Sequence, residues 1–136
     1  MEFALSKNSK DKLSLADESL QEVVSLAIKW GIIDFAVTES YRDKLTQNRY
    51  FNEGKSKIPW PNGKHNSVPS QAVDLVPVVN GKISWDSRHC LVLAGVILSA
   101  GEALGVTIRW GGNWDMDGEP VTDQDFQDLV HFEIIV

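Results

Sequence analysis

The sequence predicts an α+β domain in which a small, mostly antiparallel sheet is covered by helices. Three observations support this: helical spacing of apolar residues over residues 16–30, a hairpin-turn signal at Asn80-Gly81, and a strongly apolar helical stretch at residues 91–104. Strand-like segments separate the helices, which gives the order α, β, α, β, β, α, β, β. That order indicates one α+β unit.

The first half of the chain contains two predicted helices and one strand. The first helix covers residues 16–30 and ends at Gly31. Its apolar face is formed by Leu20, Val23, Val24, Ala27 and Ile28. Apolar and polar residues then alternate over residues 34–38, which predicts a short strand running toward Ser40-Tyr41-Arg42. Asp43 is suited to cap a second helix that reaches about Gly54.

The second half begins with a surface loop at residues 55–66, which carries prolines and glycine without a hydrophobic period. A strand is expected at residues 72–77, and the Asn80-Gly81 turn links Val78-Val79 to Ile83. Ser84 or Asp86 caps the apolar helix, which ends at Gly105. Two more strands are expected at residues 106–110 and 132–136.

Length and composition predict one domain, spanning residues 1–136, that is large enough to form a catalytic unit. Hydrophobic residues make up 43% and charged residues 24%, as in ordinary globular proteins. The formal net charge of −6 weighs against nucleic-acid binding, which needs clustered Lys and Arg. The start lacks a signal-peptide pattern, and no segment approaches the roughly 20 apolar residues of a membrane span. We therefore expect neither a signal peptide nor membrane insertion.

Two histidines and two acids suggest a metal site. His65 ends the loop, Asp74 interrupts an apolar strand, and His131 begins the last strand three residues after Asp128. A carboxylate in a buried strand is costly unless it is paired or bound to metal. Catalytic zinc usually takes three ligands of these types, and Asp128 is placed to accept a proton from water. The alternative is a solvated His65, a hydrogen-bonded turn acid at Asp74 and a half-buried His131.

Several pieces of the sequence resemble a known family. They are Lys64-His65-Asn66, Pro69-Ser70-Gln71-Ala72-Val73-Asp74, Arg109-Trp110-Gly111-Gly112 with Trp114-Asp115, and Asp128-Leu129-Val130-His131-Phe132-Glu133. Together they resemble the phage-encoded zinc L-alanyl-D-glutamate peptidases, endolysins related to the bacterial D-alanyl-D-alanine carboxypeptidases and dipeptidases.

The resemblance implies a role for each of five residues. His65, Asp74 and His131 would bind zinc, and Asp128 would be the general base, in the place of a glutamate in the bacterial relatives. Arg42, which follows the first strand, would hold the scissile carbonyl oxygen and stabilise the developing oxyanion. The zinc site is then expected at one end of the sheet.

An acidic loop after Trp114 offers a second cation site. Asp115 and Asp117 belong to an Asp-x-Asp-Gly segment, and oxygen-rich loops suit calcium. The full EF-hand spacing is absent, since the twelfth position from Asp115 is Phe126. The loop is therefore a candidate for regulatory calcium, with a solvated acidic turn as the alternative.

These expectations describe a zinc endolysin that cuts the L-alanyl-D-glutamate bond of peptidoglycan stem peptides. We expect a monomer that accumulates in the host cytoplasm until it is released to the cell wall. Two alternatives stay open. One is a D-alanyl-D-alanine carboxypeptidase on the same site, and the other is a non-catalytic wall-binding module that would bind zinc without turnover.

Overall fold

The computed structural model describes residues 1–135, and within them it contains four α-helices and five β-strands. The helices are α1 (Lys7–Leu13), α2 (Glu18–Trp30), α3 (Lys44–Asn52) and α4 (Ser87–Leu104). The strands are β1 (Asp34–Glu39), β2 (Ala72–Val79), β3 (Lys82–Ile83), β4 (Ile108–Gly111) and β5 (Asp128–Ile134). Val136, the expected end of the last strand, lies outside the described residues.

The five strands form one sheet whose pairs are all antiparallel. The order is β1-β2-β5-β4, and the short β3 pairs with β2 through the Asn80-Gly81 turn. Both turn residues have positive φ, 53° and 76°, as the predicted two-residue hairpin requires. The predicted α+β class with a small antiparallel sheet is confirmed.

Local signals located most helix ends correctly. Asp43 caps α3 by accepting a hydrogen bond from the Thr46 amide at 2.8 Å. Asp86, and not Ser84, caps α4 through the Arg88 amide. Gly31 and Gly105 follow α2 and α4 in the left-handed conformation, with φ of 68° and 71°.

Two elements differ from the sequence-based expectation. Helix α1 was not expected because its seven residues carry no apolar stripe, and it is fixed instead by the Ser6 cap and by Ser9, whose hydroxyl accepts from the Val37 amide at 3.0 Å. Strand β5 begins at Asp128, four residues before the expected start, so His131 lies inside the strand. Its first residues, Asp128-Leu129-Val130, do not alternate apolar and polar side chains and gave no strand signal.

Alternation along the central strands gives the sheet an apolar face and a polar face. Val73, Leu75, Phe132 and Ile134 belong to the buried core, which α2 and α4 share. The intervening Asp74, His131 and Glu133 point to the other face, because successive strand residues alternate sides. The polar face is where the candidate site lies.

Helix α4 is, among the described residues, the one helix long and apolar enough to cross a membrane by length and composition. Core helices pass the same test. Its buried residues pack against α2 and the sheet, as those of a core helix do.

Candidate active site

A cleft of about 460 Å³ opens on the polar face of the sheet. Its lining includes all five residues for which the sequence predicted a role in catalysis or zinc binding: Arg42, His65, Asp74, Asp128 and His131. They come from the loop after β1, the loop before β2, and strands β2 and β5. The fold therefore brings the five together.

His65, Asp74 and His131 converge so that one donor atom from each lies within 4.8 Å of the others. His65 Nε2 is 3.1 Å from Asp74 Oδ1 and 3.2 Å from His131 Nδ1. Asp74 and His131 are register partners on the adjacent strands β2 and β5, which places their side chains on the same face. Their function as zinc ligands stays a prediction.

His65 is buried, so the solvated-loop alternative for it is wrong. It lies in a short 3₁₀ turn, Lys64–Asn66, and its carbonyl accepts from the Arg42 amide at 2.8 Å. Its Nδ1 is 2.6 Å from the Ser40 carbonyl oxygen, which can only accept, so Nδ1 carries the proton. The lone pair of Nε2 is thereby directed at Asp74 and His131.

The charges of the cluster are strongly coupled. Burial alone would raise the pKa of Asp74, but the nearby His65 and His131 outweigh it and hold that pKa well below its usual range. Burial would lower the pKa of His131, whereas the neighbouring carboxylates of Asp74 and Glu133 raise it to about 9. The cluster therefore favours positive charge where the three donor atoms meet.

Arg42 is buried beside the cluster and fixed on several sides. Its Nε bonds to Glu39, Nη1 donates to Gln47 Oε1 at 3.0 Å, and Nη2 lies 3.8 Å from Asp74 Oδ2. Its guanidinium carbon also lies 4.7 Å from the centre of the Tyr50 ring. Arg42 is thus a buried part of the cleft wall, held by several contacts.

Gln47 is buried, and its side chain makes several hydrogen bonds that the sequence did not predict. Its Oε1 accepts from Arg42 and from Asn66 Nδ2, and its Nε2 donates to Ser56 Oγ at 3.1 Å and to the Ile58 carbonyl at 2.5 Å. These bonds tie Arg42 to the 3₁₀ turn and to the loop over the cleft. A polar residue on a weakly amphipathic helix gave no sequence signal for this role.

Asp128 reaches the cleft through an irregularity in the β4–β5 pairing. A regular strand would place Asp128 and His131, three residues apart, on opposite faces. The register shifts between Trp110 and Gly111, so that Gly111 pairs with Asp128. A side chain at Gly111 would collide with the Asp128 carbonyl oxygen. Glycine at this position therefore allows β4 and β5 to approach closely.

Burial and the negative charge of Asp74 both raise the pKa of Asp128. His131, His65 and Arg42 act in the opposite direction without outweighing them. A carboxylate with a raised pKa beside a cationic cluster is suited to accept and return a proton.

The donor set fits a zinc ion. Two imidazole nitrogens and one carboxylate oxygen form a ligand group typical of catalytic zinc, and both imidazoles have their second nitrogen hydrogen-bonded, as ligating histidines usually do.

Comparison with known proteins identifies the family. The family model of phage L-alanyl-D-glutamate peptidases matches residues 1–135. The chain belongs to this family. It is also 28% identical over 120 residues to the L-alanyl-D-glutamate peptidase of Escherichia phage T5, an alignment that covers 88% of this chain and 87% of that protein. The family assignment agrees with the resemblance inferred from the motifs.

A solved structure shows the same fold. The crystal structure of the Serratia marcescens L-Ala D-Glu endopeptidase ChiX superposes with a TM-score of 0.80 at 24% identity, covering 99% of this chain and 90% of that one. At this identity the likeness concerns the fold. Together with the family match it identifies this protein as a peptidase with the fold of a known endopeptidase.

Aromatic residues form one wall of the peptidase cleft. The Trp114 ring centre is 5.4 Å from that of His131, and Trp114 stacks on Phe126 at 6.2 Å. Lys57 Nζ lies 5.6 Å from the Phe126 ring centre, so the loop after α3 meets this wall. Two other tryptophans, Trp60 and Trp85, do not line the cleft.

In the acidic loop of the peptidase, Asp123 joins Asp115 and Asp117, and their carboxylates lie within 4.8 Å of one another. All three residues are exposed, and such exposed groups also occur without an ion. Calcium binding by Asp115 and Asp117 stays a prediction, which an activity assay with and without calcium tests.

Proposed function

We propose that this protein is a zinc-dependent endolysin that hydrolyses the L-alanyl-D-glutamate bond of bacterial peptidoglycan. The single observation that carries the zinc chemistry is the convergence of His65, Asp74 and His131 in one cleft with Arg42 and Asp128. The family match supports the choice of bond.

Zinc would be held by His65 Nε2, His131 Nδ1 and an oxygen of Asp74. Bound in this way it supplies a Lewis acid, which acidifies water and polarises a carbonyl group. Protein side chains carry out the remaining steps, which are proton transfer and stabilisation of the developing negative charge.

Asp128 acts as general base and then as general acid. It takes a proton from the water that attacks the amide carbonyl, and it returns that proton to the amine of the leaving D-glutamyl part. Its raised pKa supports this role, because a carboxylate that holds a proton more strongly is a better base. Arg42 faces the carbonyl oxygen on which negative charge develops.

We propose that the protein works as a monomer, accumulates in the host cytoplasm and acts after release to the wall. D-alanyl-D-alanine cleavage is not favoured, because the family that matches is described by the L-alanyl-D-glutamate bond. A non-catalytic wall-binding module would not require Asp128 and Arg42 in the cleft.

Mass spectrometry of purified peptidoglycan after digestion tests the proposal. We expect new L-alanine carboxyl termini and new D-glutamate amino termini, loss of both after chelation, and recovery when zinc is added back. Release of D-alanine alone would identify a carboxypeptidase, and absence of any new terminus would contradict the peptidase.

A further inference from the structure

Glu133 connects two charged residues on the polar face of the sheet. Its Oε1 lies 2.8 Å from His131 Nε2, and its Oε2 accepts from Arg109 Nη2 at 2.8 Å. The Glu133 side chain is only 5% exposed. Neither Glu133 nor Arg109 has a role in the chemistry described so far.

The register of the sheet explains why these three side chains meet. His131 and Glu133 are two residues apart on β5 and so point to the same face. Arg109 is the direct partner of Glu133 on β4. The guanidinium of Arg109 also lies 5.9 Å from the centre of the Trp114 ring, which holds it on the wall of the cleft.

We propose that Glu133, held by Arg109, is a positioning residue that presents His131 to the metal through Nδ1. A carboxylate can only accept here, so the hydrogen bond keeps a proton on His131 Nε2 and leaves Nδ1, which faces His65 and Asp74, as the nitrogen that would bind the metal. The inference rests on the proposed zinc function.

The two histidines are supported differently. His65 donates through Nδ1 to the Ser40 carbonyl, which is neutral, whereas His131 donates through Nε2 to a charged carboxylate. A carboxylate partner fixes the ring and raises the basicity of the ligating nitrogen. Arg109 holds the other oxygen of that carboxylate through the 2.8 Å hydrogen bond from its Nη2.

Zinc affinity, measured by competition with a chromophoric chelator, tests the inference. We expect Glu133→Ala to weaken zinc binding about 10-fold to 100-fold, as loss of an outer partner of a ligating histidine usually does. Glu133→Gln, which keeps the shape and an accepting oxygen, should lose less. Arg109→Met should also weaken binding, because it leaves Glu133 without its anchor.

Ile134→Val is the matched control, because Ile134 lies next to Glu133 on β5 and belongs to the core behind the sheet. Ile134→Val should lower the stability of the protein and leave its zinc affinity within about twofold, because a residue with only a structural role should not change metal binding. Circular dichroism checks that each variant is folded. Glu133→Gln keeps the test valid where Glu133→Ala does not fold.

At saturating zinc, the Glu133 variants should lose kcat with little change in KM, because the residue acts on the ligand and not on substrate. Zinc affinity within twofold of the unchanged protein in a folded Glu133→Ala variant would overturn the inference, and where that variant does not fold, the same result in both Glu133→Gln and Arg109→Met would overturn it. An unchanged protein that binds zinc but releases no D-glutamate terminus would instead overturn the proposed function.

Discussion

The Nε2 atom of His65 lies 3.2 Å from the Nδ1 atom of His131, although 66 residues separate them in sequence. Each ring presents a different nitrogen to this point, because its other nitrogen donates to an acceptor behind it, the Ser40 carbonyl or Glu133. Asp74 Oδ1 completes the group. The backbone and one carboxylate thus prepare both imidazoles to bind one cation.

Replacing Asp128 by Asn should leave zinc bound and reduce kcat by about 10²-fold to 10⁴-fold, the usual contribution of general acid–base catalysis. Bound zinc is measured by atomic emission and kcat on soluble stem peptides. Asp125→Asn is the control, since Asp125 is exposed in the same segment and outside the cleft lining. Loss of zinc from the Asp128→Asn variant would show that Asp128 is a zinc ligand.

Replacing Gln47 by Ala should destabilise the protein by about 2 kcal/mol or more, because buried partners in Arg42 and Asn66 lose their acceptor. Urea unfolding measures this change. We also expect kcat to fall, since Arg42 loses one of its supports. Gln21→Ala removes a half-buried glutamine that donates to the Ala16 carbonyl, and it should leave kcat unchanged. Equal effects of the two variants on stability and kcat would argue against a role of Gln47 in holding Arg42.

Replacing Gly111 by Ala should cost about 1–3 kcal/mol of stability and lower activity, because the added methyl group would push the Asp128 backbone away. Thermal unfolding and kcat are the measurements. Gly95→Ala is the control: this glycine lies in α4 with open space around it, and alanine there should stabilise by about 0.5–1 kcal/mol. A Gly111→Ala variant as stable and active as the unchanged protein would remove the role of the register shift.

The acidic loop should make stability depend on pH through Asp123. A hydrogen bond with Asp117 and the neighbouring Asp115 raise the pKa of Asp123 to about 6, above its unfolded value. Its ionisation therefore disfavours the folded state as pH rises through about 6. Asp123→Asn should raise the Tm at pH 8 and at low salt, and this gain should shrink as pH falls toward 4. A gain that is constant with pH would show that its cause is not this ionisation.

Local signals predicted the parts of the fold that local chemistry controls. Asp43 and Gly31 mark helix ends through hydrogen bonds and backbone angles available within a few residues. Helix α1 was missed because it has no apolar stripe and part of its support comes from Val37 across the fold. The start of β5 was missed because it is set by the pairing of Asp128 with Gly111 on β4. Tertiary pairing, which no window of sequence contains, decided both cases.

The residues of the candidate site also differ in how far local sequence could predict them. The motif around His131 contained Glu133, and the two-residue period of a strand would have placed both on one face once the strand had been extended. Gln47 had no such signal, because its four hydrogen bonds all reach residues outside its own helix turn. Resemblance to a family supplied Arg42, whose partner Asp74 is distant in sequence.

Anomalous diffraction at the zinc edge, from crystals grown with zinc, tests the central claim most directly. We expect one strong peak bounded by His65 Nε2, Asp74 Oδ1 and His131 Nδ1, and no such peak in crystals of Asp74→Ala. A peak found only at the exposed acidic loop, or none in the cleft of the unchanged protein, would contradict it.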